Sequence, residues 1–193
     1  MKYSITAFIS GLLLSLLAAG CRDDSASSST PPVAATQSAN ESPFAGFFTQ
    51  AEPAGEEPLL KAVNAGQFDR EVVVTGKVGE IISGRGAFQL VDQSIKDCNQ
   101  PGESCPTPWD MCCEPAESLR PATVMVELRD AKGQLIAGDI INQRGLYHLS
   151  TLVVTGTLTR DKDGNQFLTA KSIYVKIPSP LDVAKTEASK KKK

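Results

Sequence analysis

Apolar and polar residues alternate through the middle of the chain with the period of two that marks half-buried strands. Glu71-Val72-Val73-Val74-Thr75-Gly76-Lys77-Val78 is β-branched and predicts a first strand, with Gly76 at a bulge or sharp bend. It continues through Ile81-Ile82 into Ser83-Gly84-Arg85-Gly86, a glycine-rich turn. Ala87-Phe88-Gln89-Leu90-Val91-Asp92 predicts the second strand and Ala122-Thr123-Val124-Met125-Val126-Glu127-Leu128 the third, closed by the turn Asp130-Ala131-Lys132-Gly133. Residues 135–149 have apolar points at Ile136, Ile140, Ile141, Leu146 and Leu149, which predict a short helix or an irregular connection. The fourth strand lies around Leu152-Val153-Val154-Thr155-Gly156-Thr157-Leu158. It forms a hairpin with residues 166–175 over Asp161-Lys162-Asp163-Gly164-Asn165. Pro178 and Pro180 then end the sheet.

Five strands with a connection between the third and fourth resemble the OB-fold, a small Greek-key barrel. The resemblance rests on the order of Val74-Thr75-Gly76-Lys77-Val78, Phe88-Gln89-Leu90-Val91-Asp92, residues 152–158 and residues 170–175, and it covers about 110 residues. It implies an all-β, five-stranded barrel over residues 62–178, with a cysteine-rich loop at 93–121 between the second and third strands. OB barrels bind ligands on the face of those two strands, so the resemblance places Trp109, Arg85 and Phe88 at or near a ligand site. Exported OB-folds include the haem-carrying chaperone of cytochrome c maturation, which holds haem through a histidine followed closely by tyrosine. Here Tyr174 has no such histidine, and His148 precedes the fourth strand, so the haem role does not carry over.

The ends of the chain set its expected compartment. Lys2 gives a positive start, residues 5–19 are apolar or small apart from Thr6, Ser10 and Ser15, and the run closes Ala18-Ala19-Gly20-Cys21. Residues 1–20 have the length and flanks of a signal peptide, short for a membrane span. The junction resembles the lipobox of bacterial lipoproteins, although Ala18 stands where that pattern prefers leucine and Leu17 lies one place earlier. The resemblance implies cleavage before Cys21, acylation of its thiol (palmitate) and a lipid anchor in the cell envelope. An ordinary signal peptide that leaves Cys21 as a free thiol is the other reading. Arg22 in place of aspartate favours the outer membrane or the periplasmic face.

Between Arg22 and Leu60, twenty-one of thirty-nine residues are Ser, Ala, Thr or Pro, and six acidic residues face one arginine. Such a composition predicts a disordered tether over residues 21–61, with a reach on the order of 30–40 Å. Phe44-Ala45-Gly46-Phe47-Phe48 interrupts it, either as a docking motif or as cover for the domain's own flank. Residues 179–193 form a basic tail ending in four lysines, expected to be solvated. The formal net charge of −2 supplies no pull towards nucleic acid. The partners expected are the membrane, through the N-terminal lipid, and an envelope protein or glycan.

Candidate chemistry concentrates between Cys98 and Cys113, with Cys98, Cys105, Cys112, Cys113 and the single tryptophan inside sixteen residues. An even number of cysteines in an exported chain predicts two disulfides, with Cys112–Cys113 the pairing that geometry disfavours. The competing reading is a thiolate site for zinc, copper or an iron–sulfur cluster, although the spacing of six, twice over, departs from zinc knuckles. Asp110, Glu114 and Glu117 give the loop an acidic edge, which argues against a nucleic-acid face. Asp161-Lys162-Asp163-Gly164-Asn165 resembles the start of a calcium loop but lacks the closing glutamate, so a hairpin turn is expected. No nucleophile–base pair or phosphate-binding glycine loop stands out, and His148 beside Ser150 is expected to be structural. The reading that follows is a non-catalytic binding or structural module. An envelope metal-binding or thiol-redox protein is the alternative.

Overall fold

The computed structural model describes residues 42–181. Six strands form its sheet: β1 (Glu57–Pro58), β2 (Arg70–Ile81), β3 (Ala87–Val91), β4 (Thr123–Glu127), β5 (Thr151–Arg160) and β6 (Gln166–Ile177). Five of them close a barrel in the order β2-β3-β4-β6-β5, with β5 returning to β2. The β2–β3, β3–β4, β5–β6 and β2–β5 ladders are antiparallel, and β4–β6 is parallel, pairing Met125 with Phe167 and Val126 with Leu168. This is the expected all-β, OB-like barrel, with the cysteine loop between its second and third strands (β3 and β4).

The alternation of each strand becomes an inside and an outside. Val72, Val74 and Val78 of β2, Phe88 and Leu90 of β3, and Val124 and Val126 of β4 meet Leu152, Val154, Leu168 and Ile173 in the core. Gly76 serves closeness rather than a bulge. A Cβ there would sit 2.7 Å from the carbonyl oxygen of Val91, and the register shift falls between Val78 and Ile81.

The folded region starts well before residue 62. Phe44 is 1% exposed and belongs to the core, so of the two expected roles this part of the expected tether takes that of cover for the domain's own flank. It packs at the β2–β3 turn, where a Cβ on Gly86 would meet its ring at 2.7 Å. Helix α1 (Leu59–Asn64) sinks Leu59, Ala62 and Val63 into the same core. The apolar side chains at 44, 59, 62 and 63 supply the burial that the rest of the Ser/Ala/Pro-rich stretch lacks. Between β4 and β5 the chain is irregular, with a single 3-10 turn at Gln143–Gly145. Buried Ile140 and Leu146 hold this connection to the barrel. No helix among the described residues is long and apolar enough to cross a membrane. The expected signal peptide, Cys21 and residues 182–193 lie outside the described residues.

Candidate functional site: a cysteine cluster beside a strand-face groove

The cysteine loop lies on the outer face of the barrel. Val91, which points away from the core, is covered by Ile95, Met111 and Ala122, with Leu60 and Leu119 at the edge. At the loop's base, Lys77 projects from β2, donates to the Ile95 carbonyl at 2.5 Å and pairs with Asp97 at 2.6 Å. Burial raises the Asp97 carboxyl, but the Lys77 ammonium and the Asn99 and Gln100 N–H donors outweigh it and hold it below the usual range. The backbone N–H of Cys98 donates to the Asp110 carbonyl at 2.9 Å, which closes the loop on itself. Farther out, helix α2 (Ala116–Ala122) leads the chain back into β4.

Trp109 ties the loop to a second point on the barrel. Its ring stacks on His148, centroids 4.0 Å apart and 15° from parallel. Its indole N–H reaches Glu80 at 3.4 Å. His148 Nδ1 lies 2.6 Å from the Gly79 carbonyl, which can only accept, so that nitrogen carries the hydrogen. Ser150 Oγ accepts from the Tyr147 N–H and donates to the Gly145 carbonyl. The histidine ties the connection before β5 to β2, and the serine ties that connection to itself.

Around this frame the sulfurs converge. The thiols of Cys98, Cys105 and Cys112 lie within 4.8 Å of one another. Cys98 and Cys112 are 3.3 Å apart, and Cys112 and Cys113 are 4.0 Å apart. A disulfide needs about 2.05 Å, and all four cysteines are free thiols here. The arrangement is one hub with neighbours rather than two separate pairs. Cys112 is the sulfur that the close contacts share, 3.3 Å from Cys98 and 4.0 Å from Cys113. The hydrogen bond from Cys112 is the main reason the Cys98 thiol lies below its ordinary value. Cys112 keeps its proton, pushed up to about 12 by its bonds to Cys98 and then Cys113. Cys105 is raised, chiefly through Cys98. Of Cys98, Cys105 and Cys112, Cys98 is therefore the first to become a thiolate.

A groove runs from this loop across the outer face of β3 and β4. One hollow of about 390 Å³ is lined by Val91, Met111, Leu119 and Asp110. A second, of about 430 Å³, is lined by Met125, Phe167, Gln166 and the β5–β6 turn. The two share Gln89, Arg120 and Thr123 and so adjoin one another. Gln166 is buried, donates its amide to the Arg120 carbonyl, and leaves Oε1 without a partner among the described residues. A larger hollow, about 670 Å³, lies elsewhere, between α1 and the end of β3. Within the described residues, several of its polar groups are already engaged, while exposed Asn64 is not. Asp92 accepts from the Leu60 N–H and from Ser94, and Gln93 donates to Thr75.

Of the three residues expected at a ligand site, none lines the groove. Phe88 is wholly buried in the barrel core and offers no surface to a ligand, because it falls on the inner face of the β3 alternation. Arg85 is exposed on the β2–β3 turn. Trp109 is half-buried against His148. Gln89, Thr123 and Arg120 went unnoticed because each is an ordinary polar residue in sequence. The only signal was the outward position of Gln89 and Thr123 on the second and third barrel strands; Arg120, on α2, gave none. The Asp161 turn is a hairpin whose carboxylate accepts from the backbone N–H groups of Asp163 and Asn165.

Fold and site together define an OB-type barrel with a thiol cluster clamped to one side of its strand-face groove. The chain matches no family model and no curated protein.

Proposed function

We propose that this chain is an exported, lipid-anchored binding protein whose barrel holds a wall glycan in the groove across β3 and β4. The observation that carries the reading is the groove's uncommitted polar rim. The side chains of Gln89, Thr123 and Arg120 line it and make no hydrogen bond or ion pair within the described part of the chain. Amide, hydroxyl and guanidinium donors beside the half-buried Met125 and Phe167 suit a sugar, which presents hydroxyls at its edge and C–H groups on its face. Asp163 at one end and Asp110 at the other oppose a phosphate backbone.

Titrating soluble peptidoglycan fragments into the isotopically labelled protein tests this reading. Amide shifts are expected at Gln89, Thr123 and Asn165. Arg120→Ala and Gln89→Ala should each weaken binding by roughly tenfold, the worth of one or two hydrogen bonds of about 1 kcal/mol. Absence of shifts, or shifts confined to the hollow beside α1, would overturn it.

Anchoring is tested separately. The wild-type chain should incorporate labelled palmitate and sediment with membranes, whereas Cys21→Ser should lose the label and remain in the soluble envelope fraction. An unlabelled, soluble wild type would contradict the anchor.

A further inference from the structure

We propose that Cys98, Cys105 and Cys112 form a three-thiolate site for a thiophilic d10 cation, Cu(I) or Zn(II). The proposal stands on sulfur geometry and is independent of what the groove binds. Three sulfurs mutually within 4.8 Å leave room for one ion between them. With metal–sulfur bonds of about 2.3 Å, ligand sulfurs around a single ion sit roughly 3.8–4.0 Å apart. Within the set, Cys98 and Cys112 are 3.3 Å apart and no pair exceeds 4.8 Å, limits that bracket that spacing. A pair of disulfides would instead divide the four sulfurs two by two, whereas Cys112 contacts both Cys98 and Cys113.

The surroundings suit a held ion. Cys98 is buried, Cys105 half-buried and Cys112 exposed, so the site is closed beneath and open above to an entering cation. The scaffold under it is fixed at two places, the Lys77–Asp97 pair next to Cys98 and the Trp109–His148 stack. Neither anchor uses a thiol, so the sulfurs remain free to ligate. Soft thiolates select Cu(I) and Zn(II) over harder ions. The two differ in what they ask of the fourth cysteine. Structural zinc is almost always four-coordinate and would recruit Cys113 from beside Cys112. Cu(I) is satisfied by the three.

The test uses the whole chain carrying Cys21→Ser, so that the anchor thiol is not counted, purified without oxygen. It is given one equivalent of Zn(II) or of Cu(I) held by a chromophoric competitor, and bound metal and the thiolate-to-metal absorption band are read. One ion per chain is expected. Cys98→Ser and Cys105→Ser should lower affinity by more than roughly 100-fold, since even outer-shell partners are worth about 10–100-fold. Cys113→Ser should weaken a bound Zn(II) and leave Cu(I) unchanged, which assigns the ion. Circular dichroism of each variant checks that the barrel remains. Failure of the folded parent chain to retain either ion, or equal retention by folded Cys98→Ser, would overturn the site. So would two disulfides and no metal in protein taken from the envelope.

Discussion

Replacing Phe88 by alanine should destabilise the protein by roughly 3–5 kcal/mol, the range for emptying a large aromatic site in a packed core. The ring is wholly buried and sits among Val74, Leu90, Val126 and the other barrel residues. Its register partner on β4 is Val126, so the cavity would open inside the β3–β4 ladder. Urea unfolding followed by circular dichroism reads the loss. Phe88→Leu, which keeps most of the apolar volume, should recover much of it. Below the transition, the groove should keep its affinity for glycan fragments, because Gln89 and Phe88 lie on opposite faces of one strand. A Phe88→Ala protein as stable as the wild type but weak in ligand binding would return Phe88 to the site and displace it from the core.

The same strand shows what could be read from sequence and what could not. Its alternation made β3 legible, and the order of strands and turns made the barrel legible. The face did not follow, because Leu90 and Val91 are both apolar and the pattern allows either to point inward. Val91 points outward and is nevertheless buried, since the cysteine loop covers it with Ile95 and Met111. Local alternation cannot foresee cover supplied from twenty residues away. Composition misled in a similar way at residues 42–61. The phenylalanine run was legible as cover for the domain's own flank, but the Ser/Ala/Pro-rich average concealed Leu59; Phe44 and Leu59 both bury completely and draw the segment onto the barrel. The cysteines were legible as a cluster by their density. Their arrangement as a hub was not, because spacing along the chain does not say which sulfurs a folded loop brings together. Lys77 went unnoticed as a member of the site, being one charged residue in a β-branched strand until the loop folds over it.

Lys77→Met should free the base of the cysteine loop while leaving the barrel folded. The substitution keeps an aliphatic stem over the sheet and removes the ammonium that holds Asp97 at 2.6 Å and the Ile95 carbonyl at 2.5 Å. Both members of the pair are only about an eighth exposed, 12% and 13% at the side chain. An acceptor stranded there costs about 1–3 kcal/mol, and the loop can recover that by opening to water, because no strand ladder passes through it. The measurable consequence is local. Alkylation of Cys98 in the metal-free protein should accelerate by roughly 10–100-fold, the factor that such an energy gives to an opening equilibrium. The unfolding midpoint of the barrel should move little. The pair also sets a pH dependence of definite sign. The Asp97 carboxyl lies below its ordinary value in the fold, so the unfolded loop binds more protons between the two values and its closure strengthens as pH rises. Protection of Cys98 should be complete above about pH 4, near the unfolded value of about 3.9. It should be lost as pH falls through the lower folded value, and Lys77→Met should lack that acid step. A Lys77→Met protein whose Cys98 reacts as slowly as the wild type would move the loop's hold to the remaining anchor, the stack of Trp109 on His148.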